Sequence, residues 1–321
     1  YSDRQQIKDQ RNAVKEAVKR YKDHPAILAW GLGNEMEDPV NGSGNTRIWK
    51  ELNELAKIVK REDSSRPVIT VIAGTGGDKV VQIIRHYPEI DILGVNAYAS
   101  APAVASDLLS LGWEKPFMLT EFGPLGHWEV QSTSWGAPIE PNSQQKAGTY
   151  YVTHQRVIEE GMGQCLGTFA FLWGNKQECT ATWYGMFLPS GERLGSADAM
   201  SYAWTGNFPD NRAPKIRSLD SSAAMQEIAR GSVQTASVEI TDPENDPLEY
   251  EWIVTAESND RRVGGDKESV PPSFPNLITS QKNNQVTFKA PNKSGAYRLF
   301  LYARDRGNGN AATANFPFYV K

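Results

Sequence analysis

The stretch His24-Pro25-Ala26-Ile27-Leu28-Ala29-Trp30-Gly31-Leu32-Gly33-Asn34-Glu35 decides how the rest of the chain is read. From Ala26 to Gly33 it is almost continuously apolar, the pattern of a strand buried on both faces of a parallel sheet. Before it, Ile7, Val14, Ala17, Val18 and Tyr21 recur at helical spacing between Ser2 and Lys22, and Asp23-His24-Pro25 stops that helix. After it come an amide and a carboxylate, two polar groups at the end of an apolar strand. An unpaired buried carboxylate is costly, so such a group is expected to be hydrogen-bonded and to do chemistry.

Moving outward, the same cadence repeats. Helices are predicted near Thr46–Arg61, Lys79–His86, Val104–Leu111 and Ser143–Glu160, and strands at Pro67–Ala73, Asp91–Tyr98, Pro116–Phe122 and Gly167–Trp173. Five strands alternating with helices make an α/β architecture, either part of a (β/α)8 barrel or an open parallel sheet. In both, functional groups gather at the carboxyl ends of the strands. Those ends read Asn34-Glu35, Gly74-Thr75-Gly76, Asn96-Ala97-Tyr98, Thr120-Glu121-Phe122 and Trp173-Gly174-Asn175. Glu35 and Glu121 form the pair that hydrolysis of a glycosidic bond requires, one protonating the leaving oxygen and the other attacking or stabilising the sugar cation. Pleat alternation would point Asn34 and Glu35 to opposite faces, so joint contact with one sugar demands a bulge at that tip.

Beyond Asn211 the texture changes. Pro209, Pro214 and the polar stretch to Ser222 read as a connector, followed by alternating segments at Ser232–Ile240, Leu248–Thr255, Gln285–Lys289, Tyr297–Ala303 and Ala314–Val320. The expected division is residues 1–211 for the α/β part and 212–321 for an all-β, Ig-like sandwich in which Trp252 is core. Apolar residues make up 39% of the chain, enough for packed cores, which excludes disorder as its main theme.

Thirty-four Lys and Arg against 38 Asp and Glu leave a formal charge of −4 without long runs of one sign, so no nucleic-acid partner is expected. Apolar runs fall far short of the roughly 20 residues of a spanning helix, and no membrane span is expected. Cys165 and Cys179 give neither a disulfide framework nor zinc spacing, so neither metal nor cofactor is called for. The first residues lack the basic stub and apolar run of a signal peptide.

The two glutamate segments also carry a resemblance. His24 to Glu35 resembles the acid/base strand of retaining glycoside hydrolases of clan A, especially the TIM-barrel domain of family 2, and Lys115-Pro116-Phe117-Met118-Leu119-Thr120-Glu121-Phe122-Gly123 resembles the nucleophile strand of that clan. The resemblance implies that Glu35 is the acid/base at the end of the fourth barrel strand and Glu121 the nucleophile at the end of the seventh. It implies that Asn34 holds the sugar 2-hydroxyl, that Tyr98 bonds the nucleophile, and that Trp173 floors the sugar site. Asn96 is placed with these binding residues. Only strands four to eight have counterparts, so the first three are expected to come from upstream sequence. The substrate implied is a β-linked oligo- or polysaccharide, with a β-glucan as first expectation, met outside the cytoplasm in a secreted or periplasmic setting. Transglycosylation is the nearest variant, and a non-catalytic carbohydrate-binding protein on a degenerate barrel is the alternative from another class.

Several residues keep two readings at this stage. His127 and Trp128, in the loop after the second glutamate strand, either touch substrate or pack the loop, and Trp173 is either a sugar platform or core. Glu37 and Asp38 are taken as rim groups. Trp183-Tyr184-Gly185-Met186-Phe187 either closes the cleft or caps the barrel, and Asp242, Glu244 and Asp246 with Asp305 are either polar turn residues or calcium ligands. The run from Asp242 to Trp252 resembles the turn and strand of cadherin-like and polycystic-kidney-disease-type modules on bacterial carbohydrate enzymes.

Overall fold

The computed structural model describes residues 3–37, 46–161, 163–262 and 265–321. The chain divides into two compact units, one of residues 1–122 with 154–169, the other of 123–153 with 170–321.

In the first unit, helix α1 (Arg4–Tyr21) begins at Asp3, whose carboxylate accepts from the backbone N–H groups of Gln5 and Gln6. Then follow β1 (Trp30–Asn34), α2 (Thr46–Glu62), β2 (Val68–Ala73), α3 (Lys79–His86), β3 (Ile92–Asn96), α4 (Val104–Ser110) and β4 (Phe117–Phe122). Helix α5 (Ser143–Glu160) leads to β5 (Cys165–Ala170). The strands lie in chain order, β1-β2-β3-β4-β5, and the successive pairs from β1 to β4 run parallel. The central β3 is buried at all five positions. Helix α2 sinks Trp49, Leu52, Leu55 and Val59 into the core, together with Glu51, whose carboxylate is held by both Nε and Nη2 of Arg11 at 2.7 and 2.6 Å.

The first strand departs from expectation. It starts at Trp30, later than the apolar run suggests, and is not buried on both faces: Leu32 is covered, Gly31 and Gly33 are exposed, and Leu28 before it is 72% exposed. The reason is its place at one edge of the sheet, where among the described residues β2 is its one neighbour. At the other edge, Leu166 and Phe169 of β5 are also exposed.

The second unit contains α6 (Gly195–Thr205), closed by Gly206 in the left-handed conformation, and a two-sheet sandwich. Its strands are β6 (Lys215–Ser221), β7 (Glu227–Ile228), β8 (Val233–Thr241), β9 (Leu248–Ala256), β10 (Ile278–Lys282), β11 (Gln285–Lys289), β12 (Gly295–Asp305) and β13 (Asn310–Val320). One sheet has the order β10-β11-β8-β6 and the other β7-β13-β12-β9. Between them lie Val238, Trp252, Val286, Phe288, Leu299 and Phe318, so Trp252 is core as expected. The polar run expected to be a mere connector contains β6, an edge strand paired antiparallel with β8.

These units do not divide at residue 211. Residues 123–153 and 170–211 cluster with the sandwich, and buried polar bonds inside this second unit account for it. Arg298 of β12, 1% exposed, donates to both oxygens of Glu257 (2.9 and 2.8 Å), to Oδ1 of Asn315 (2.6 Å) and to the carbonyl of Pro138 (2.9 Å). Asn315 in turn donates to Glu140 (2.7 Å), which also pairs with Lys146 and accepts from the hydroxyls of Thr180 (2.6 Å) and Thr182 (2.8 Å). Burial alone would push the Glu140 carboxyl up, but Lys146 and Arg298 hold it below the ordinary carboxylate range.

Candidate active site

Five of the expected residues meet at the carboxyl ends of β1, β3 and β4 in the first unit. On β1 the register against β2 slips between Gly31, opposite Ile69, and Asn34, opposite Val71, so β1 carries one residue more than its partner. This is the bulge that joint use of Asn34 and Glu35 demands. Gly33 takes a positive φ of 84° there, and the Leu32 carbonyl is taken by the Thr70 hydroxyl. Glu35 follows with φ 49°, its N–H on the Val71 carbonyl at 2.9 Å. The left-handed turn leaves the Glu35 side chain exposed and on the same amide as its neighbour: Nδ2 of Asn96 donates to Oδ1 of Asn34 at 3.1 Å and to Oε1 of Glu35 at 2.8 Å.

The second glutamate follows a second bulge. Val95 lies opposite Leu119, but the next residue, Asn96, lies opposite Glu121, so Thr120 is the extra residue on β4. Its hydroxyl donates to Oδ1 of Asn96 at 2.7 Å. One buried asparagine is therefore satisfied at both ends of its amide, which fixes the orientation of the group. The Ala97 N–H bonds the Glu121 carbonyl at 2.9 Å, and the Tyr98 hydroxyl donates to Oε2 of Glu121 at 3.2 Å. The site stands on small residues beneath: a Cβ on Gly94 would lie 2.7 Å from Cγ2 of Val71 and 2.9 Å from Cγ2 of Thr120, so β3 can pass between β2 and β4 here as glycine alone.

Two residues were not recognised from sequence as parts of this constellation. Thr120 has no signature of its own, because its role comes from the register slip. Glu37, expected at the rim, is largely buried, with Oε1 accepting from the Ala73 N–H at 2.6 Å and from Nζ of Lys79 at 3.1 Å, which ties the chain after Glu35 to the end of β2. Asp38 lies outside the described residues.

His127, Trp128 and Trp173 belong to the second unit. The half-buried His127 ring meets the edges of Trp128 (4.9 Å between centroids) and Trp183 (5.9 Å), and burial together with Arg261 pushes its pKa down. Trp128 is 59% exposed and Trp173 is 65% exposed, with one edge contact to Phe187 at 4.8 Å; the core reading of Trp173 is overturned. Trp183, Tyr184 and Met186 are fully buried, so this run packs rather than lines an opening.

The acidic turn of the sandwich is engaged internally. Glu244 pairs with Arg212 at 2.8 Å, and Asp246 accepts from Asn211 (2.7 Å) and Asn308 (3.0 Å). Among the described residues no group of three or more His, Cys, Asp or Glu could hold a metal ion, and no helix is long and apolar enough to cross a membrane.

Residues 2–126 match the family model described as glycosyl hydrolases family 2, TIM barrel domain. No curated protein matches the chain closely enough to count as a relative. Among solved structures, a β-glucuronidase of Bacteroides uniformis is similar over 100% of this chain and 38% of its own, at 12% identity and a TM-score of 0.46. A glycosyl hydrolase family 2 member of Bacteroides cellulosilyticus is similar over 96% of this chain and 51% of its own, at 14% identity and a TM-score of 0.42. The GH53 catalytic domain of Ignisphaera aggregans is similar over 62% of this chain and 65% of its own, at 17% identity and a TM-score of 0.46. The chain spans about two fifths to two thirds of the length of these three.

Proposed function

We propose that this chain, whose residues 2–126 match the family 2 glycosyl hydrolase barrel domain, is part of a retaining β-glycoside hydrolase. The observation that carries the reading is the double duty of Asn96, which bonds Asn34 and Glu35 on one side and Thr120, the neighbour of Glu121, on the other. Two glutamates at the ends of strands tied through one amide, directly at Glu35 and by way of Thr120 beside Glu121, suit a double displacement. Glu121 attacks the anomeric carbon while Glu35 protonates the leaving oxygen, and Glu35 then draws a proton from the water that releases the sugar. Tyr98 orients the attacking carboxylate, and Asn34 offers its amide to the sugar 2-hydroxyl. Within the second unit, the exposed rings of Trp128 and Trp173 offer surfaces on which a sugar face can stack, and His127 a polar group beside Trp128.

The exposed Leu28 at one sheet edge and Leu166 and Phe169 at the other support a barrel completed by strands from upstream sequence. In that complete enzyme the substrate is a β-linked oligo- or polysaccharide, a β-glucan first among those to try, and the setting is secreted or periplasmic. The sandwich is an accessory domain. Glu121→Gln in the complete enzyme is expected to cut turnover of an aryl β-glycoside by at least about a thousandfold. Proton NMR of the first-formed product should show the β-anomer; an α-anomer, or an undiminished rate in Glu121→Gln, would sink the assignment.

A further inference from the structure

The parallel ladder between β1 and β2 reaches Asn34 opposite Val71, with the Glu35 N–H on the Val71 carbonyl at 2.9 Å. Backbone groups along a central strand turn alternately to its two neighbours. The Gly74 N–H faces β3 and bonds the Asn96 carbonyl at 2.8 Å, so the groups of Ala73 face the chain that follows β1. A regular ladder would give the Ala73 N–H to the Glu35 carbonyl and the Ala73 carbonyl to the Glu37 N–H. The left-handed turn at Glu35, φ 49°, breaks that pattern.

Two side chains make these bonds instead. Oε1 of Glu37 accepts from the Ala73 N–H at 2.6 Å, and Nζ of Lys79 donates to the Ala73 carbonyl and, at 3.1 Å, to the same Oε1 of Glu37. The pair is largely screened from water, its side chains being 17% exposed at Lys79 and 11% at Glu37. Met36, between the two glutamates, folds back over Gly33, where a Cβ would lie 2.6 Å from Cγ of Met36. The turn that carries Glu35 is thereby fastened to β2 twice, by the Glu35 N–H at its start and by the Glu37 carboxylate at its end. A left-handed residue with a Cβ persists only where its surroundings hold it. The Glu35 side chain is exposed, so close packing does not supply that hold; the two pins and Asn96 do.

We propose that Glu37, clamped by Lys79, is the positioning residue of the acid/base. It takes the ladder bond that the Glu35 carbonyl gives up, and so keeps the Glu35 carboxyl aimed at the leaving oxygen. This role rests on the reading of Glu35 as the acid/base; Glu37 acts through that residue and needs no contact with substrate.

The test compares two aryl β-glycosides of one sugar in the complete enzyme. Phenol leaves poorly without a proton, whereas 2,4-dinitrophenolate needs none, so the phenyl glycoside reports the acid and the other does not. Glu37→Leu removes the acceptor and should lower kcat/KM for the phenyl glycoside by at least about tenfold, and for the dinitrophenyl glycoside by less than about threefold. A residue that merely stabilised the fold would lower both alike. Glu37→Gln, which keeps an acceptor oxygen for both donors, should restore most of the lost phenyl rate. Lys79→Met withdraws the clamp from the other side and should show the same preference. It decides the matter if Glu37→Leu does not fold, as judged by near-ultraviolet circular dichroism. Equal loss on both glycosides, or loss on neither, overturns the proposal. Glu35→Ala is measured alongside. If Glu35→Ala spares the dinitrophenyl glycoside and Glu37→Leu does not, the positioning role alone falls. If Glu35→Ala leaves the phenyl rate intact, the acid/base reading falls and takes the role with it.

Discussion

The Nδ2 of Asn96 stands 2.8 Å from Oε1 of Glu35, and the same nitrogen holds Asn34 at 3.1 Å. Neighbours in sequence that should face opposite ways are thus drawn to one donor by a bulge and a left-handed residue.

Replacing that donor gives the first prediction. Asn96→Ala removes a hydrogen bond to a carboxylate and leaves the Thr120 hydroxyl without its acceptor. Hydrogen bonds to charged groups contribute about 1.5–3 kcal/mol, so kcat/KM of the complete enzyme should fall by roughly 10- to 100-fold. Steady-state kinetics on an aryl β-glycoside measures this. A change below twofold would remove Asn96 from the machinery.

The buried pair of Glu140 and Lys146 makes a stability prediction. Lys146→Met leaves Glu140 without its countercharge in a fully buried setting and should destabilise the second unit by about 3–5 kcal/mol, read as a shift in the urea midpoint. Glu140→Gln combined with Lys146→Met should recover much of that loss, because no uncompensated charge remains. A double variant no more stable than Lys146→Met would contradict this account.

Asp63 supplies a pH dependence. Burial pushes its carboxyl up, but hydrogen bonds from Ser65 and Trp30 and the Arg66 guanidinium outweigh burial and hold it well below the usual carboxylate range. A carboxyl depressed on folding contributes stability that is complete above its unfolded value of about 3.9 and is lost as pH falls through the folded value. Asp63→Asn should therefore lower Tm at neutral pH, and the gap to the parent should close as the solution is acidified from about pH 4 towards pH 2. Differential scanning calorimetry across that range decides it; a constant gap would mean that the contribution is not ionic.

What the sequence made legible was whatever rests on local pattern. Glu35 and Glu121 stood out because each ends an apolar run, and the need for a bulge at Asn34 followed from pleat geometry. Where the extra residue sits is a matter of register between strands far apart in the chain, so Thr120 gave no sign of itself. Helix α6 escaped because Gly195–Thr205 is apolar around most of its circumference and shows no stripe. Strand β6 was hidden in a polar edge sequence. Glu140 and Lys146 look in sequence like ordinary surface charges, and their burial against Arg298 and Asn315 is what keeps residues 123–153 with the sandwich. Residue types do not reveal such pairings, which form only when distant segments close on one another.

Glu35 adopts φ 49°, a conformation that carries a penalty of about 1–2 kcal/mol for any residue with a Cβ. The usual amide control at this position keeps that penalty, whereas glycine discards the carboxylate and relaxes the backbone together, and Asn96 still has Asn34 to bond. A Glu35→Gly protein should consequently be inert and yet melt roughly 2 °C higher than its parent, as seen in a thermal-shift scan. A lower melting point would show that the acid is not in tension with its own backbone. Thermostability screens run without an activity filter would then select against the group proposed here as the acid/base.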